Sequence, residues 1–434
     1  MISRGLEFHN VAEIQDSSWG CRLYRFPRAV CDSMGEGERR SGRYVSQTTA
    51  GCEIRFVLED GGRALLSLSS IDEDGYVQIC CGDFRYCQGN VYSFPVRSGR
   101  ATQIMLSKPP GLAQLDPRYL RGAFSPGVWR VMSDINFTMT FGGIETYGYA
   151  VRPPRPDEVP PRTLLCYGTS LTYGACASAH GVSYAQLLGR RLGCNILNKA
   201  MGGSCMNEKA VADYFAGGAA GGVGDEAAGG ATGGAAGGVA DEAAGGAASG
   251  VAGGEPRFDA VLLENGLNMD GMSEAYEKNT AYLLDRLAAA CPEKPVYCVT
   301  SYPNAAYPKG CRAKGGRPQS GGVSGGAMRS DAQKAGAGES ADAGASAGAG
   351  AGTSAGAGAG AGTSASTSMN TPDCGNDAIM RKLAARHKNC ALIEGAEILD
   401  NFADLACDLV HLSDYGHIAV AERLSERIGW LAPR

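Results

Sequence analysis

One proline-rich segment divides this chain into two different sequence patterns, and this division constrains the fold most. The segment PPRPDEVPP (153–161) contains five prolines in nine residues, which predicts a stiff, extended connector and excludes a regular helix. Short β-type runs precede it, whereas strand-like and helix-like runs alternate after it. We therefore predict an N-terminal β domain over residues 1–152, a linker over 153–162 and an α/β domain over 163–434.

The N-terminal part carries short runs that are rich in β-branched and aromatic residues and are separated by turn signals such as EDGG. These runs lie at 53–59, 64–71, 76–81, 102–107, 129–133 and 137–141. Strands of this length and spacing predict an all-β sandwich, jelly-roll-like in form. No helical period of useful length occurs before residue 110.

After the linker, apolar runs of strand length alternate with amphipathic runs of helix length. The predicted strands lie at 163–167, 195–198, 259–265, 295–303 and 390–395. The predicted helices lie at 183–193, 207–215, 273–291, 376–387 and 415–431. This alternation predicts a doubly wound α/β domain with a parallel sheet, in which ligands bind at the carboxyl ends of the strands.

Two tracts of almost pure Gly, Ala, Ser and Thr interrupt the α/β pattern, at about 216–254 and 311–372. They contain too little apolar bulk to offset the entropy of ordering the chain. The segment DEAAGG also occurs twice in the first tract, at 225–230 and 241–246. We predict two disordered insertions in surface loops, because insertions are tolerated where the backbone is exposed and unpaired. A functional lid is the alternative.

Charge and cysteine content exclude several classes of protein. The net charge of −5 has both signs interspersed, so we expect no nucleic-acid partner and no membrane partner. The sixteen cysteines include no C-x-x-C pair, so we expect no metal site. We interpret the cluster of Cys80, Cys81 and Cys87 as small buried hydrophobic residues. Free thiols and an N-terminal segment without an apolar stretch predict a cytoplasmic location.

Three short blocks of glycines and polar residues lie directly after predicted strands. Ser170 occurs in GTSLTYG, where the flanking glycines allow a tight turn that exposes the hydroxyl. Gly203 occurs in NKAMGGS and Asn268 in ENGLNM. Acyl transfer needs donors that face the oxyanion of the tetrahedral intermediate. The N–H groups of Ser170 and Gly203 and the amide of Asn268 could supply three such donors.

A fourth block, DLVH, contains Asp408 and His411 three residues apart. A nucleophilic hydroxyl needs a base, and the base needs an orienting carboxylate. We therefore predict that His411 takes the proton of Ser170 and that Asp408 holds the His411 tautomer. His417 is interpreted as a packing or helix-surface residue. Each block alone is typical of an ordinary turn, but four blocks in this order at strand ends favour a catalytic set without metal or cofactor.

The four blocks together resemble the SGNH, or GDSL-type, hydrolase superfamily, which is named after a serine, a glycine, an asparagine and a histidine. The matching residues are Ser170, Gly203, Asn268 and His411, with Asp408 as the third member of the triad. The first block reads GTSLT where the family has GDSLS, and the third reads GLNM where the family has GGND. The resemblance covers the α/β part of the chain without its two insertions.

A β-rich domain ahead of such a hydrolase domain resembles the carbohydrate esterases of family two and related bacterial two-domain esterases. This resemblance implies a serine esterase that removes acyl groups, acetyl above all, from a small or oligomeric carbohydrate. Two alternatives stay open. One is a carbohydrate-binding protein with a silent hydrolase domain, although the complete set of five residues argues against it. The other is a lipase or thioesterase on the same scaffold.

Overall fold

A computed structural model describes residues 1–35, 42–116, 124–217, 250–252, 256–304 and 375–428. The predicted insertion at 311–372 lies outside these residues, and so does most of the predicted insertion at 216–254. Nothing in the described ranges therefore tests the prediction of disorder for the second tract.

The N-terminal part consists mainly of strands. They are β1 (Ile2–Ser3), β2 (Leu6–His9), β3 (Glu13–Ser17), β4 (Gly20–Tyr24), β5 (Glu53–Leu58), β6 (Arg63–Ser70), β7 (Gly75–Cys81), β8 (Phe84–Arg85), β9 (Phe94–Val96), β10 (Thr102–Ser107), β11 (Val128–Ser133), β12 (Met139–Glu145) and β13 (Val151–Arg152). Two helices also lie here, α1 (Arg28–Ser33) and α2 (Gly42–Gln47). The sequence showed no helical period of useful length before residue 110, so these two short helices were not predicted. Helices of six residues are too short to show a hydrophobic period in the sequence.

The remaining part alternates strands and helices, as predicted. Its strands are β14 (Thr163–Gly168), β15 (Asn195–Asn198), β16 (Gly250–Ala252), β17 (Ala260–Glu264), β18 (Val296–Val299) and β19 (Cys390–Ile393). Its helices are α3 (Ser170–Tyr173), α4 (Tyr184–Leu192), α5 (Lys209–Phe215), α6 (Ser273–Ala290), α7 (Gly375–Ala384), α8 (Gly395–Ile398) and α9 (Asp414–Arg427). Every predicted strand and helix of this part corresponds to an observed element.

The N-terminal strands form two antiparallel sheets within the described ranges. The first has the order β1-β2-β5-β11-β7-β8, with β13 paired to β5 and β9 paired to β7. The second has the order β10-β6-β12-β4-β3-β16. Their apolar faces share one core, in which Phe56 stacks on Trp129 and Phe8 meets Phe141 edge to face. The predicted sandwich is confirmed.

Strand β16 comes from the first Gly/Ala-rich tract. Its residues 250–252 pair antiparallel with residues 13–15 of β3 at the edge of the second sheet. The prediction that this tract lacks regular structure is therefore wrong at these three residues. An edge strand is held by backbone hydrogen bonds, so it needs none of the apolar bulk on which the prediction was based.

The parallel sheet has the order β15-β14-β17-β18-β19. Successive side chains of a strand point to opposite faces, and β14 accordingly divides its residues between two cores. Leu164 and Cys166 pack with α3, α4, α8 and α9, whereas Leu165 and Tyr167 pack with α1, α2, α5, α6 and α7. Helices thus cover both faces, and the predicted doubly wound α/β fold is confirmed.

The proline-rich connector contains a single turn of 3₁₀ helix at Pro156–Glu158. Glu158 accepts hydrogen bonds from Arg152 and Arg155, which holds this turn against the end of the sandwich. N-terminal residues also enter the core of the parallel sheet, since Phe26 packs against aromatic rings of α5. The domain boundary at 153–162 stays a prediction.

The cysteines within the described ranges are all free thiols. In the predicted buried cluster, Cys81 is buried and Cys80 is partly exposed, but Cys87 is exposed. The prediction is wrong for Cys87 because β8 ends before it and leaves it in a loop. Among the helices of the described residues, none combines the length and the apolar character that crossing a membrane requires.

Candidate active site

The four predicted blocks meet at one edge of the parallel sheet. Ser170 follows β14, Gly203 follows β15 and Asn268 follows β17, while His411 lies in the loop before α9. The carboxyl ends of parallel strands share one edge of a sheet, so the first three residues reach the same place. This placement brings the blocks together, and their role as one catalytic site stays a prediction.

Ser170 occupies the first position of α3, immediately after β14. The preceding Thr169 caps the helix, because its side-chain oxygen accepts the N–H of Leu171. Gly174 ends the helix in the left-handed conformation, with φ of 99°, which favours glycine. The strand and the capped turn together fix the direction of the Ser170 side chain.

His411 lies between Ser170 and Asp408 and is within hydrogen-bonding distance of both. Its Nε2 is 2.8 Å from Oγ of Ser170, and its Nδ1 is 2.6 Å from Oδ2 of Asp408. With an ionised carboxylate at Nδ1, that nitrogen carries the proton and donates it to the carboxylate. Nε2 is then the free base that accepts the hydroxyl proton. This arrangement fits general-base activation of a serine.

The loop that carries Asp408 is built around its carboxylate. Oδ1 of Asp408 accepts the backbone N–H groups of Val410 and His411 at 3.0 and 2.9 Å. This tight turn places Leu409 at φ of 58°, in the left-handed region. Partial burial acts to raise the pKa of Asp408, but the hydrogen bonds from the His411 ring and from the two N–H groups outweigh it, so the pKa is lowered. An ionised Asp408 can stabilise the positive charge of a protonated His411 ring, and the lowered pKa favours this ionised form.

The amide of Asn268 has a fixed orientation. Its Oδ1 accepts the backbone N–H of Cys205 at 3.1 Å, so its Nδ2 points away from that bond as a donor. This hydrogen bond also joins the third block to the second. Asn268 can therefore present an N–H to a substrate oxygen without first having to reorient.

Gly203 and Ser170 present backbone donors. Gly203 has φ of 75°, and no atom lies within 4 Å of the position that a Cβ would take there. Within the described ranges, neither N–H group donates to a protein acceptor. Met201, two residues earlier, donates its N–H to the Gly168 carbonyl at 2.9 Å, which ties this loop to the end of β14. The predicted donors thus remain available on two joined loops.

Sequence reasoning missed Glu264, which is buried beneath the nucleophile turn. Its Oε2 accepts the backbone N–H of Thr169 at 3.1 Å and the hydroxyl of Thr172 at 2.8 Å. The hydroxyl of Thr169 lies 3.0 and 2.9 Å from its two oxygens. Burial raises the pKa of Glu264 to about 7, against the opposing effect of the hydrogen bonds from both threonines. The signal in the sequence was an acidic residue directly after the apolar run AVLL (260–263).

His417 has a packing role, in agreement with its interpretation from the sequence. Its Nδ1 accepts the N–H of Tyr184 at 3.1 Å, and its Nε2 lies 3.2 Å from the carbonyl oxygen of Ala175. Burial lowers the pKa of His417 to about 4, so the ring is neutral at physiological pH. It joins α9 to α4 and to the loop that follows Ser170.

One group of side chains near the triad has the donor atoms of a metal site. Cys176, Asp408 and His411 each offer one atom, and these atoms lie within 4.8 Å of one another. The Sγ of Cys176 is 3.9 Å from Oδ2 of Asp408. A cation there would replace the hydrogen bond between Asp408 and His411. Nε2 of His411 already reaches Ser170, so the hydrogen bonds of Asp408 and His411 fit the predicted proton transfer better than a metal site.

The profile of the GDSL-like Lipase/Acylhydrolase family matches residues 161–221, a range that contains Ser170 and Gly203. The predicted resemblance to GDSL-type hydrolases is confirmed. The match supports an enzyme of the esterase or acylhydrolase type. A search of curated proteins finds no match.

A comparison with solved structures finds similar chains at low sequence identity. The salicylyl-acyltransferase SsfX3 from a tetracycline biosynthetic pathway has a TM-score of 0.61 at 9% identity, covering 98% of this chain and 94% of that chain. A putative GDSL-like lipase from Bacteroides ovatus has a TM-score of 0.49 at 12% identity, covering 98% of each chain. A family two carbohydrate esterase from Cellvibrio japonicus has a TM-score of 0.49 at 11% identity, covering 98% of each chain. At 9% identity, the likeness to the acyltransferase shows a common fold.

Proposed function

We propose that this protein is a serine esterase that hydrolyses acyl esters, acetyl esters in particular, on a carbohydrate. The observation that carries the proposal is the chain of hydrogen bonds from Ser170 Oγ through His411 to Asp408. The family match over 161–221 supports the same class of chemistry. The proposed reaction uses these side chains, the amide of Asn268, the backbone N–H groups of Ser170 and Gly203, and water.

In the acylation step, Oγ of Ser170 attacks the ester carbonyl carbon while Nε2 of His411 takes the hydroxyl proton. The carbonyl oxygen becomes an oxyanion and receives hydrogen bonds from the predicted donors. Removing one such donor typically costs about 3 kcal/mol of transition-state stabilisation. The bond to the leaving alcohol then breaks, and His411 returns its proton to that alcohol. Asp408 stabilises the imidazolium between these two transfers.

In the deacylation step, a water molecule replaces the alcohol. His411 takes a proton from the water, whose oxygen attacks the acyl carbon on Ser170. Collapse of the second tetrahedral intermediate releases the carboxylic acid and returns the proton to Ser170. An alcohol in place of water would give acyl transfer, so released acid and acylated alcohol are both worth measuring.

The carbohydrate part of the proposal is supported by the resemblance in domain order and by one feature near the triad. Tyr415 lies at the start of α9, four residues after His411, and its side chain is 78% exposed. An exposed aromatic ring offers an apolar face with a polar tip, which suits the C–H face of a sugar. The free thiols within the described ranges support a reducing compartment such as the cytoplasm.

Hydrolysis of p-nitrophenyl acetate and p-nitrophenyl octanoate by the protein and its Ser170→Ala variant tests the proposal. We expect turnover of acetate above that of octanoate, and loss of turnover in the variant. Ser178→Ala is the matched control, because Ser178 is an exposed serine in the loop that follows α3. A mass increase on Ser170 after treatment with a fluorophosphonate would identify the nucleophile directly.

Other results of these assays would favour the alternative functions or contradict the triad. Preference for octanoate would favour the lipase or thioesterase alternative. Turnover that Ser170→Ala leaves unchanged would contradict the triad. No turnover of either ester, or of a panel of acetylated sugars, would favour the carbohydrate-binding alternative.

A further inference from the structure

A cavity of about 140 Å³ lies between the first antiparallel sheet and the pair formed by α4 and β15. A single water molecule needs roughly 10–15 Å³ of such space, so the cavity has room for a small organic molecule. It reaches Asn195 and Ile196 at the amino end of β15, whereas the triad lies at the carboxyl edge of the same sheet. Its lining, all within the described ranges, includes no triad residue.

Four arginines line this cavity, and two of them share one buried carboxylate. Arg55 donates its Nε–H to Oε2 of Glu53 at 2.7 Å, and Arg130 donates to both oxygens of Glu53 at 2.9 and 2.7 Å. The other two arginines, Arg85 and Arg190, have exposed side chains. One carboxylate at the centre of the group thus faces several guanidinium groups.

Two further carboxylates lie near the arginines of this cavity, at longer distances than Glu53. Those of Glu7 and Asp83 approach the two paired arginines at 3.5 and 3.7 Å. Arg85 and Arg190 form no ion pair with any residue in the described part of the chain, although Arg85 donates a hydrogen bond to a serine hydroxyl. In these pairs two arginines meet three carboxylates, and Arg85 also acts electrostatically on the buried carboxyl of Asp134. The two exposed arginines, Arg85 and Arg190, form no direct ion pair among the described residues.

A buried donor inside the cavity also lacks an acceptor. Gln186 of α4 lines the cavity and is only 8% exposed, and its Nε2 has no hydrogen-bond partner among the described residues. Nearby, Oε1 of Gln78 accepts the N–H of Gly181 at 2.5 Å. Because buried polar groups are normally hydrogen-bonded, the free Nε2 of Gln186 indicates a site for an oxygen atom of a ligand.

The lining also includes apolar side chains, beside the polar side chains of Gln78, Asp83 and Asn195. Phe124 lies beneath the guanidinium carbon of Arg130, 3.9 Å from it to the ring centroid. Met132 and Leu187 form further parts of the wall. The cavity thus combines a cationic mouth, one unsatisfied donor and a small apolar surface, which is the usual composition of a small-molecule site.

We propose that this cavity binds a small organic anion, with an oxyanion head group at Arg85, Arg190 and Gln186 and a short apolar body against Phe124. Carboxylates and phosphates share the chemistry of such a head group. The site is distinct from the triad, and its ligand need not be the esterase substrate.

Thermal unfolding of the full chain in the presence of sodium butyrate or inorganic phosphate tests the proposal. Butyramide serves as the uncharged analogue, and sodium chloride provides matched ionic strength. We expect a saturable rise in Tm with an anion and none with butyramide or chloride. A larger response to butyrate would identify a carboxylate ligand, and a larger response to phosphate a phosphate ligand.

The double variant Arg85→Gln/Arg190→Gln should raise at least tenfold the anion concentration that gives half of the maximal rise in Tm. Gln186→Leu should raise this concentration independently. Arg191→Gln is the matched control. It lies on the same helix, pairs with Glu422 and does not line the cavity, so its response should equal that of the unchanged protein. A response that persists in the double variant would place the anion elsewhere, for example at Ser170, and would overturn the proposal. The absence of a saturable response to both anions would also overturn it.

Discussion

Replacement of Glu264 by glutamine isolates the energetic effect of one buried carboxyl group beneath the nucleophile. In the structure this carboxyl receives the N–H of Thr169 and the hydroxyl of Thr172 on one oxygen, Oε2. A glutamine can place its carbonyl oxygen there and donate its amide N–H to the Thr169 hydroxyl. The variant therefore resembles the protonated glutamic acid and keeps the turn that carries Ser170.

The sign of the effect follows from the direction of the pKa shift. The folded protein holds the pKa of Glu264 at about 7, above the ordinary value of 4.5. Below pH 4.5 the carboxyl is protonated in both states, and its contribution to stability is fully present. As pH rises from 4.5 to 7, only the unfolded chain releases the proton freely, so stability is lost. At about 1.4 kcal/mol per pH unit, the loss amounts to about 3 kcal/mol.

Urea unfolding of the protein and of the Glu264→Gln variant at pH 5 and pH 8 measures this effect. Comparing the two proteins cancels the other titrating groups. We expect the free energy of unfolding of the variant, relative to the protein, to rise by about 2–3 kcal/mol between the two pH values. Glu426→Gln, which removes an exposed carboxylate of α9, is the control.

Parallel pH profiles for Glu264→Gln and the unchanged protein would refute this reasoning. They would show that Glu264 titrates at the same pH in the folded and unfolded chains. The hydrogen bonds from the two threonines would then stabilise the carboxylate enough to cancel its desolvation.

Four further substitutions test other parts of the site. Asp408→Asn should lower kcat for p-nitrophenyl acetate on the order of 10⁴-fold, and a decrease below tenfold in steady-state kinetics would remove it from the triad. Asn268→Ala should lower kcat by about 10²–10³-fold, whereas an unchanged kcat would exclude it as an oxyanion donor. Gly168→Ala would place a Cβ 2.3 Å from the Thr172 hydroxyl, so Tm should fall, and an unchanged Tm in thermal unfolding would contradict the close approach. Arg25→Met should lower the free energy of unfolding in urea by at least about 3 kcal/mol, because it leaves buried backbone carbonyls unpaired, and a loss below 1 kcal/mol would contradict that role.

The parallel sheet and the contact of Ser170, His411 and Asp408 could be predicted because their signals are local. Each strand of this sheet is a short apolar run with polar residues or glycine at its end, as TLLCY becomes β14. Asp408 and His411 are three residues apart in one loop, so their contact depends on few backbone angles. Ser170 follows a strand directly, and the fold rule for parallel sheets brings it to the same edge as the other blocks.

The features that could not be predicted depend on contacts between distant parts of the chain. The burial of Glu264 is visible only when β17 is placed beside the nucleophile turn. Strand β16 exists because the edge of the second sheet offers it a partner, and its own composition gives no sign of this. The cavity lined by Arg85 and Arg190 forms between a sheet and a helix that are about one hundred residues apart in the sequence.

The same kind of distant contact joins the sandwich side of the chain to the catalytic loops. Arg25 is fully buried and donates to the backbone carbonyls of Thr48, Asn198 and Ala200, among others. The hydroxyl of Thr48 in turn lies 2.8 Å from that of Tyr173, the last residue of the helix that begins with Ser170. Asn198 and Ala200 open the loop that presents Gly203. The guanidinium holds this loop by hydrogen bonds to carbonyl oxygens, so the N-terminal part belongs to the scaffold of the candidate active site. We therefore expect a substitution at Arg25 to affect esterase turnover as well as stability.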